Sequence, residues 1–217
     1  MYGRSRFKLS GLSAVNKNRL LIIFTKNPEA GQVKTRLARS VGEEKALEIY
    51  ETLRGHTAIV TEDVDAERIV YYSRFIPPSD LFLITDKFTP KLQQGDDLGE
   101  RMFNAISSGF ESGFHHIVLI GTDCYELSRE ILNQSFRALE RFDAVVGPAT
   151  DGGFYLIGLN RVFPELFLDR QWSTPDVLRE TTTILQRLGI PCELLSELSD
   201  IDTFDDLKKS KLWPHQP

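Results

Sequence analysis

The 217 residues hold only two cysteines, Cys124 and Cys192, far apart in the chain. That scarcity excludes a disulfide framework and a cysteine-built zinc site. The four histidines, His56, His115, His116 and His215, show no metal-ligand spacing. No apolar run reaches the length of a membrane span. No G-x-G-x-x-G occurs, so a dinucleotide fingerprint is missing. Positive charge is also short: the net charge is -5, which argues against a nucleic-acid partner, since such proteins need a basic face to displace counterions. What is present, 41% hydrophobic and 26% charged residues, is ordinary for a globular protein with one sizeable core.

Residues 1–18 differ from the rest, with Arg4, Arg6, Lys8 and Lys17 and no acidic residue. They have neither the apolar stretch of a secretory signal nor a clear Arg-rich amphipathic helix. The expectation is a flexible N-terminal extension before one domain over 19–217, in a protein of the cytoplasm.

Along 19–217, short apolar runs alternate with helical periodicity, the pattern of an α/β sheet covered on both faces. Strands are predicted at Leu20 to Phe24, Glu67 to Ser73, His116 to Gly121, Asp143 to Val146, Phe154 to Ile157 and Glu193 to Leu195. Between Pro77-Pro78 and Gln93, either Phe82 to Thr85 or Phe88 to Leu92 reads as a further strand. Helices are predicted over Thr35 to Ser40, Gly42 to Asp63, Leu98 to Gly113, Leu127 to Arg141 and Thr174 to Leu188, plus a last one capped by Thr203. In the Thr174 helix, Thr174 is the expected cap and Pro175 the first helical residue.

Chemistry concentrates at the expected carboxyl ends of strands, where ligands bind in open α/β sheets. The first strand runs into Lys26-Asn-Pro-Glu-Ala-Gly31-Gln-Val-Lys34-Thr-Arg36. Three cations and free backbone N–H groups in one loop suit phosphates, so Lys26, Gly31, Lys34 and Arg36 are candidate phosphate contacts. The loop is not a Walker A loop, because the first glycine is absent and two residues separate Gly31 from Lys34.

Asp123 directly follows the most apolar strand and is either a helix cap or a metal ligand. Asp200 and Asp202 lie close together on an extended segment. Two such charges ~5 Å apart repel by roughly 3 kcal/mol at an effective dielectric of 20, which a divalent cation offsets. Oxygen ligands suit Mg²⁺ or Mn²⁺ carried with a diphosphate, whereas helix capping by Asp202 or Thr203 is the structural alternative. Gly152 and Gly153 after Asp151 permit close approach of backbone to a ligand, or simply make a turn. Trp172 precedes a helix and is a candidate acceptor contact.

Taken together, the motifs resemble a known family. They are Phe24-Thr-Lys-Asn-Pro-Glu-Ala-Gly31, Val33-Lys-Thr-Arg-Leu37, Gln94 with Asp97-Leu-Gly-Glu-Arg-Met102, Ile120-Gly-Thr-Asp-Cys124, Gly147 to Gly158, Trp172-Ser-Thr174 and Asp200-Ile-Asp-Thr203. Their order and spacing over 19–210 resemble mostly uncharacterised bacterial proteins of the nucleotide-diphospho-sugar transferase (GT-A) type. The wider group includes glycosyltransferases and cofactor-biosynthesis nucleotidyltransferases.

The resemblance implies a single-domain, Rossmann-like α/β/α sandwich with a mixed, mostly parallel sheet. It implies Asp123 and Asp202 as ligands of Mg²⁺ or Mn²⁺, with phosphates at Lys26, Lys34 and Arg36. Asp151, Gly152 and Gly153 would border the sugar or acceptor, and Asp151 is the candidate base. The implied activity is a metal-dependent transferase using a nucleotide-diphospho-sugar and an unidentified acceptor. Nucleotidyl transfer from an NTP and non-catalytic nucleotide binding are the alternatives. One departure stands out: Tyr125 occupies the place where the family pattern has proline after Gly-Thr-Asp-Cys.

Overall fold

The computed structural model describes residues 18–213. The expected N-terminal extension therefore lies almost wholly outside the described residues. Seven strands form one sheet in the order β3-β2-β1-β4-β6-β5-β7. They are β1 (Arg19–Thr25), β2 (Glu67–Tyr72), β3 (Thr89–Leu92), β4 (His116–Ile120), β5 (Ala144–Pro148), β6 (Phe154–Leu159) and β7 (Cys192–Leu194). All neighbouring pairs are parallel except those made by β6, which runs antiparallel to β4 and β5.

The central strands are apolar throughout because helices cover both faces. On one face, Leu21, Ile23, Val118 and Ile120 pack under α2 (Glu43–Thr61) and α4 (Arg129–Ala138). On the other, Leu20, Ile22, Leu119 and Ile157 meet α3 (Leu98–Glu111) and α5 (Val177–Arg187). A third cluster joins α1 (Thr35–Val41) and α2 to α6 (Phe204–Lys209) through Leu37, Ala46, Leu53, Ile201 and Leu207.

Several expected boundaries shift. The strand after the double proline is Thr89–Leu92, whereas Leu81–Leu83 forms a 3₁₀ turn capped by the Asp80 side chain. The helix expected from Leu127 begins at Arg129, capped by Ser128. Thr174 does not cap α5, which starts at Val177 after Asp176 without a side-chain cap. The reason is tertiary: the Gly152 carbonyl accepts from Leu178 N at 2.8 Å, so a hairpin from across the sheet satisfies one amide of the first helical turn. Thr203 caps α6 as expected, completing a reciprocal capping box with Asp206.

The order places the β1–β4 boundary at the point where chain direction across the sheet reverses, the usual ligand crevice of an open α/β sheet. The loops after β1, β4 and β7 and the β5–β6 hairpin all leave on that rim.

Candidate functional site

The loop after β1 is held from beneath. Asn27 is 2% exposed; its Nδ2 donates to Phe75 O at 2.8 Å and its Oδ1 accepts from Arg74 N at 3.0 Å, fastening the loop to the end of β2. The Tyr50 hydroxyl, presented by α2, accepts from Lys26 N at 2.8 Å and lies 3.2 Å from both Thr25 Oγ1 and Thr122 Oγ1. One buried phenol therefore links the ends of β1 and β4. Burial, then the charge of Asp123, raises its pKa above that of a free tyrosine.

Lys34 sits immediately before α1 with φ 47°, a left-handed conformation that non-glycine residues adopt rarely and often at functional sites. Its side chain is only 4% exposed, and Nζ lies 2.7 Å from Asp123 Oδ1 and 2.8 Å from Asp202 Oδ1. Arg36 reaches Asp202 Oδ2 at 3.3 Å from a largely exposed position. Burial works against the Lys34 charge, but the two carboxylates outweigh it and its pKa rises. Burial likewise raises Asp202, and Lys34, Arg36 and Lys26 reverse that, leaving its pKa below the usual carboxylate range.

Two backbone contacts bring the aspartates together. Ile201 N donates to Asp123 O at 3.1 Å, and Cys124 and Asp200 form an isolated antiparallel bridge. The segment after β7 is thereby zipped to the loop after β4. Burial, then the Asp123 charge, pushes the Asp200 carboxyl up to about 7. Tyr125 packs against His56 in a tilted arrangement with ring centroids 4.6 Å apart, and His56 Nε2 donates to Leu127 O at 2.7 Å. The residue that departs from the family pattern thus ties the Asp123 loop to α2. Neither candidate aspartate caps a helix, because Ser128 and Thr203 do so.

Lys26, Lys34, Arg36, Asp123 and Asp202 line one cavity of about 120 Å³, together with Gln32, Thr35 and Tyr50. Gly31 lies outside that lining; its φ of 74° shapes the loop, and a Cβ there would come within 3.1 Å of the Glu43 carboxylate. The acceptor-side candidates also lie outside it. Asp151 Oδ1 accepts from Gly153 N at 2.9 Å, folding onto its own turn. Gly152, at φ 88°, is pressed against the chain before α5, where a Cβ would sit 2.1 Å from Pro175 O. Trp172 Nε1 donates to Phe167 O at 3.2 Å, over Gly99 of α3.

Asp123 and Asp202 turn one oxygen each toward a single point, and Mg²⁺ or Mn²⁺ commonly takes one or two carboxylates and completes its shell with phosphate and water. The pair fits such an ion. Among the described residues no cluster of three or more His, Cys, Asp or Glu side chains is placed to hold a metal ion, so an ion at this pair would take its remaining ligands from phosphate and water.

Tyr50 and Asn27 were not legible as site residues in the sequence. Tyr50 reads as one more apolar position of a helix, and a loop asparagine carries no mark of its partners.

Residues 57–174 match the family described as "Uncharacterized protein conserved in bacteria (DUF2064)", and the chain belongs to it. A crystal structure from Desulfovibrio desulfuricans G20, provisionally assigned as a nucleotide-diphospho-sugar transferase, is 31% identical with a TM-score of 0.81; the match covers 88% of this chain and 85% of that one. The Mycobacterium tuberculosis H37Rv protein Rv0371c, solved with manganese, shares the fold at 13% identity and TM-score 0.56, over 89% and 97% of the two chains. The inositol-1-phosphate CTP transferase of T. maritima does so at 10% identity and TM-score 0.54, over 88% and 91%. A search of curated proteins finds no match. The fold is the GT-A-like α/β sandwich, and no helix among the described residues is long and apolar enough to cross a membrane.

Proposed function

We propose that this protein is a transferase that takes a nucleotide-diphospho-sugar and passes its glycosyl group to an acceptor. The observation that carries this reading is the convergence of Lys34, Asp123 and Asp202 beside Lys26 and Arg36 at the switch point of the sheet. The 31%-identical relative provisionally assigned to the same class supports it.

Lys26 and Arg36 flank the cavity and bind the diphosphate, while Tyr50 and Asn27 hold the loop in its binding shape. Preorganised cations aimed at the departing diphosphate stabilise charge that grows in the transition state. A divalent cation held by Asp123 and Asp202, Mg²⁺ or Mn²⁺, would add Lewis-acid neutralisation of that leaving group. Asp151, with Gly152 and Gly153 at the hairpin tip, is assigned to the acceptor side, with Asp151 as base and Trp172 on the neighbouring loop.

Nucleotidyl transfer from an NTP is the second reading, favoured by three cations on one loop and by the shared fold of the CTP transferase. Thermal shift with NDP-sugars and NTPs, each with and without Mn²⁺, separates the two. A metal-dependent rise with one NDP-sugar, larger than with its NDP, is expected. A rise with an NTP alone supports nucleotidyl transfer, and no shift with any ligand rejects both.

A further inference from the structure

The point on which Asp123 and Asp202 converge is already taken. Lys34 Nζ lies 2.7 Å from one carboxylate and 2.8 Å from the other, on a side chain only 4% exposed. Arg36 covers the second oxygen of Asp202 at 3.3 Å. Two carboxylates are therefore matched by two cations before any metal arrives. A bare divalent ion entering here would unbalance the charge and would have to displace a well-bound ammonium.

We propose that Lys34 is an exchangeable resident cation that keeps divalent metal out of the aspartate pair until a diphosphate draws its ammonium away. The inference rests on the diphosphate reading of the same site. The backbone of Lys34 is fixed at the start of α1, where its carbonyl accepts from Ala38 N at 2.8 Å, so the flexible four-carbon stem is the part that moves. The cavity that Lys34 and both aspartates line together with Lys26 and Arg36 is where phosphate would receive it. Once Lys34 turns to phosphate, the aspartates lose a counter-charge, and a divalent cation replaces it. Metal and diphosphate therefore bind cooperatively, each strengthening the other by the same factor. Lys34 acts here as a gating residue for metal entry, distinct from a residue that touches the reacting atoms.

The test is Mn²⁺ titration, followed by the free-ion EPR signal, on wild type, Lys34→Gln and Lys34→Arg without nucleotide. Lys34→Gln removes the charge yet retains an amide that can donate to the carboxylates, and it is expected to bind Mn²⁺ at least tenfold more tightly than wild type. Lys34→Arg, which keeps the charge, is expected to resemble wild type. Lys34→Met, checked by circular dichroism, serves as a second neutral variant if the glutamine form does not fold. In wild type, UDP, GDP or CDP plus Mn²⁺ is expected to raise the melting temperature by more than the separate rises combined.

Equal Mn²⁺ affinity in wild type and the neutral variants overturns the proposal. If that occurs while an NDP-sugar still stabilises wild type, the exchange fails and the proposed function stands. If the neutral variants gain Mn²⁺ affinity while no NDP-sugar binds, competition between the two cations stands and the proposed function fails.

Discussion

Two buried cations in this molecule differ in one partner. Arg54, on α2, has a side chain 1% exposed and donates from Nε to Thr25 Oγ1 at 3.1 Å, from NH1 to Glu51 at 2.7 Å and from NH2 to Asp80 at 2.5 Å. Its partner Asp80 is itself only 4% exposed, and its second oxygen accepts from Tyr72 OH at 2.7 Å and Phe82 N at 3.1 Å. Lys34 is almost as deeply buried, yet Asp123 and Asp202 are 43% and 32% exposed. The closed Arg54–Asp80 pair joins α2 to the segment after β2, while Glu51 on the same guanidinium faces solvent. Lys34 sits behind carboxylates whose outer faces meet solvent, so its pairing can be exchanged. Burial of the cation alone does not distinguish the two sites; Arg54 has one partner, Asp80, shut away from solvent beside the 43% exposed Glu51, whereas both partners of Lys34 meet solvent.

Arg54→Met leaves Asp80 charged without its partner and should cost about 3–5 kcal/mol in urea denaturation, with no recovery on adding Mn²⁺. A loss below 1 kcal/mol would mean the sealed pair is dispensable. Asp123→Asn should leave the unfolding free energy within about 1 kcal/mol, as for an exposed ion pair, and lower transferase turnover by about 100-fold, a loss typical of removing one charge-stabilising group. Unchanged turnover on an identified donor would remove Asp123 from the chemistry.

Tyr72→Phe removes one donor to the Asp80 carboxylate and should destabilise by roughly 1.5–3 kcal/mol, again without altering metal response. The smallest effect is expected at Lys45, whose pair with Glu48 on the same helix is exposed at both ends. Lys45→Ala should shift stability by less than about 0.5 kcal/mol. A larger shift would show that partner exposure is a poor guide to energy in this fold.

Much of the site was visible locally. The loop with Lys26, Lys34 and Arg36, the aspartate after the apolar fourth strand and the Asp-Ile-Asp segment could each be read from a few adjacent residues. The α5 boundary was misread because its first turn is satisfied by Gly152, 26 positions earlier than its donor Leu178, a partner no local pattern contains. Arg54 was invisible for a similar reason, since an arginine on an amphipathic helix reads as surface.

By itself the sequence determined the alternation of strands and helices, the apolar central strands and the chemical content of each rim loop, because these follow from side-chain periodicity and short-range turn chemistry. Tertiary structure decided what those loops become together. Lys34, Asp123 and Asp202 are 89 and 168 positions apart from the first to the others, and only the strand order and the Cys124–Asp200 bridge bring one ammonium between two carboxylates. Whether a lysine faces phosphate or aspartate depends on which charges the fold delivers within about 3 Å, and that distance is set by packing across the whole sheet.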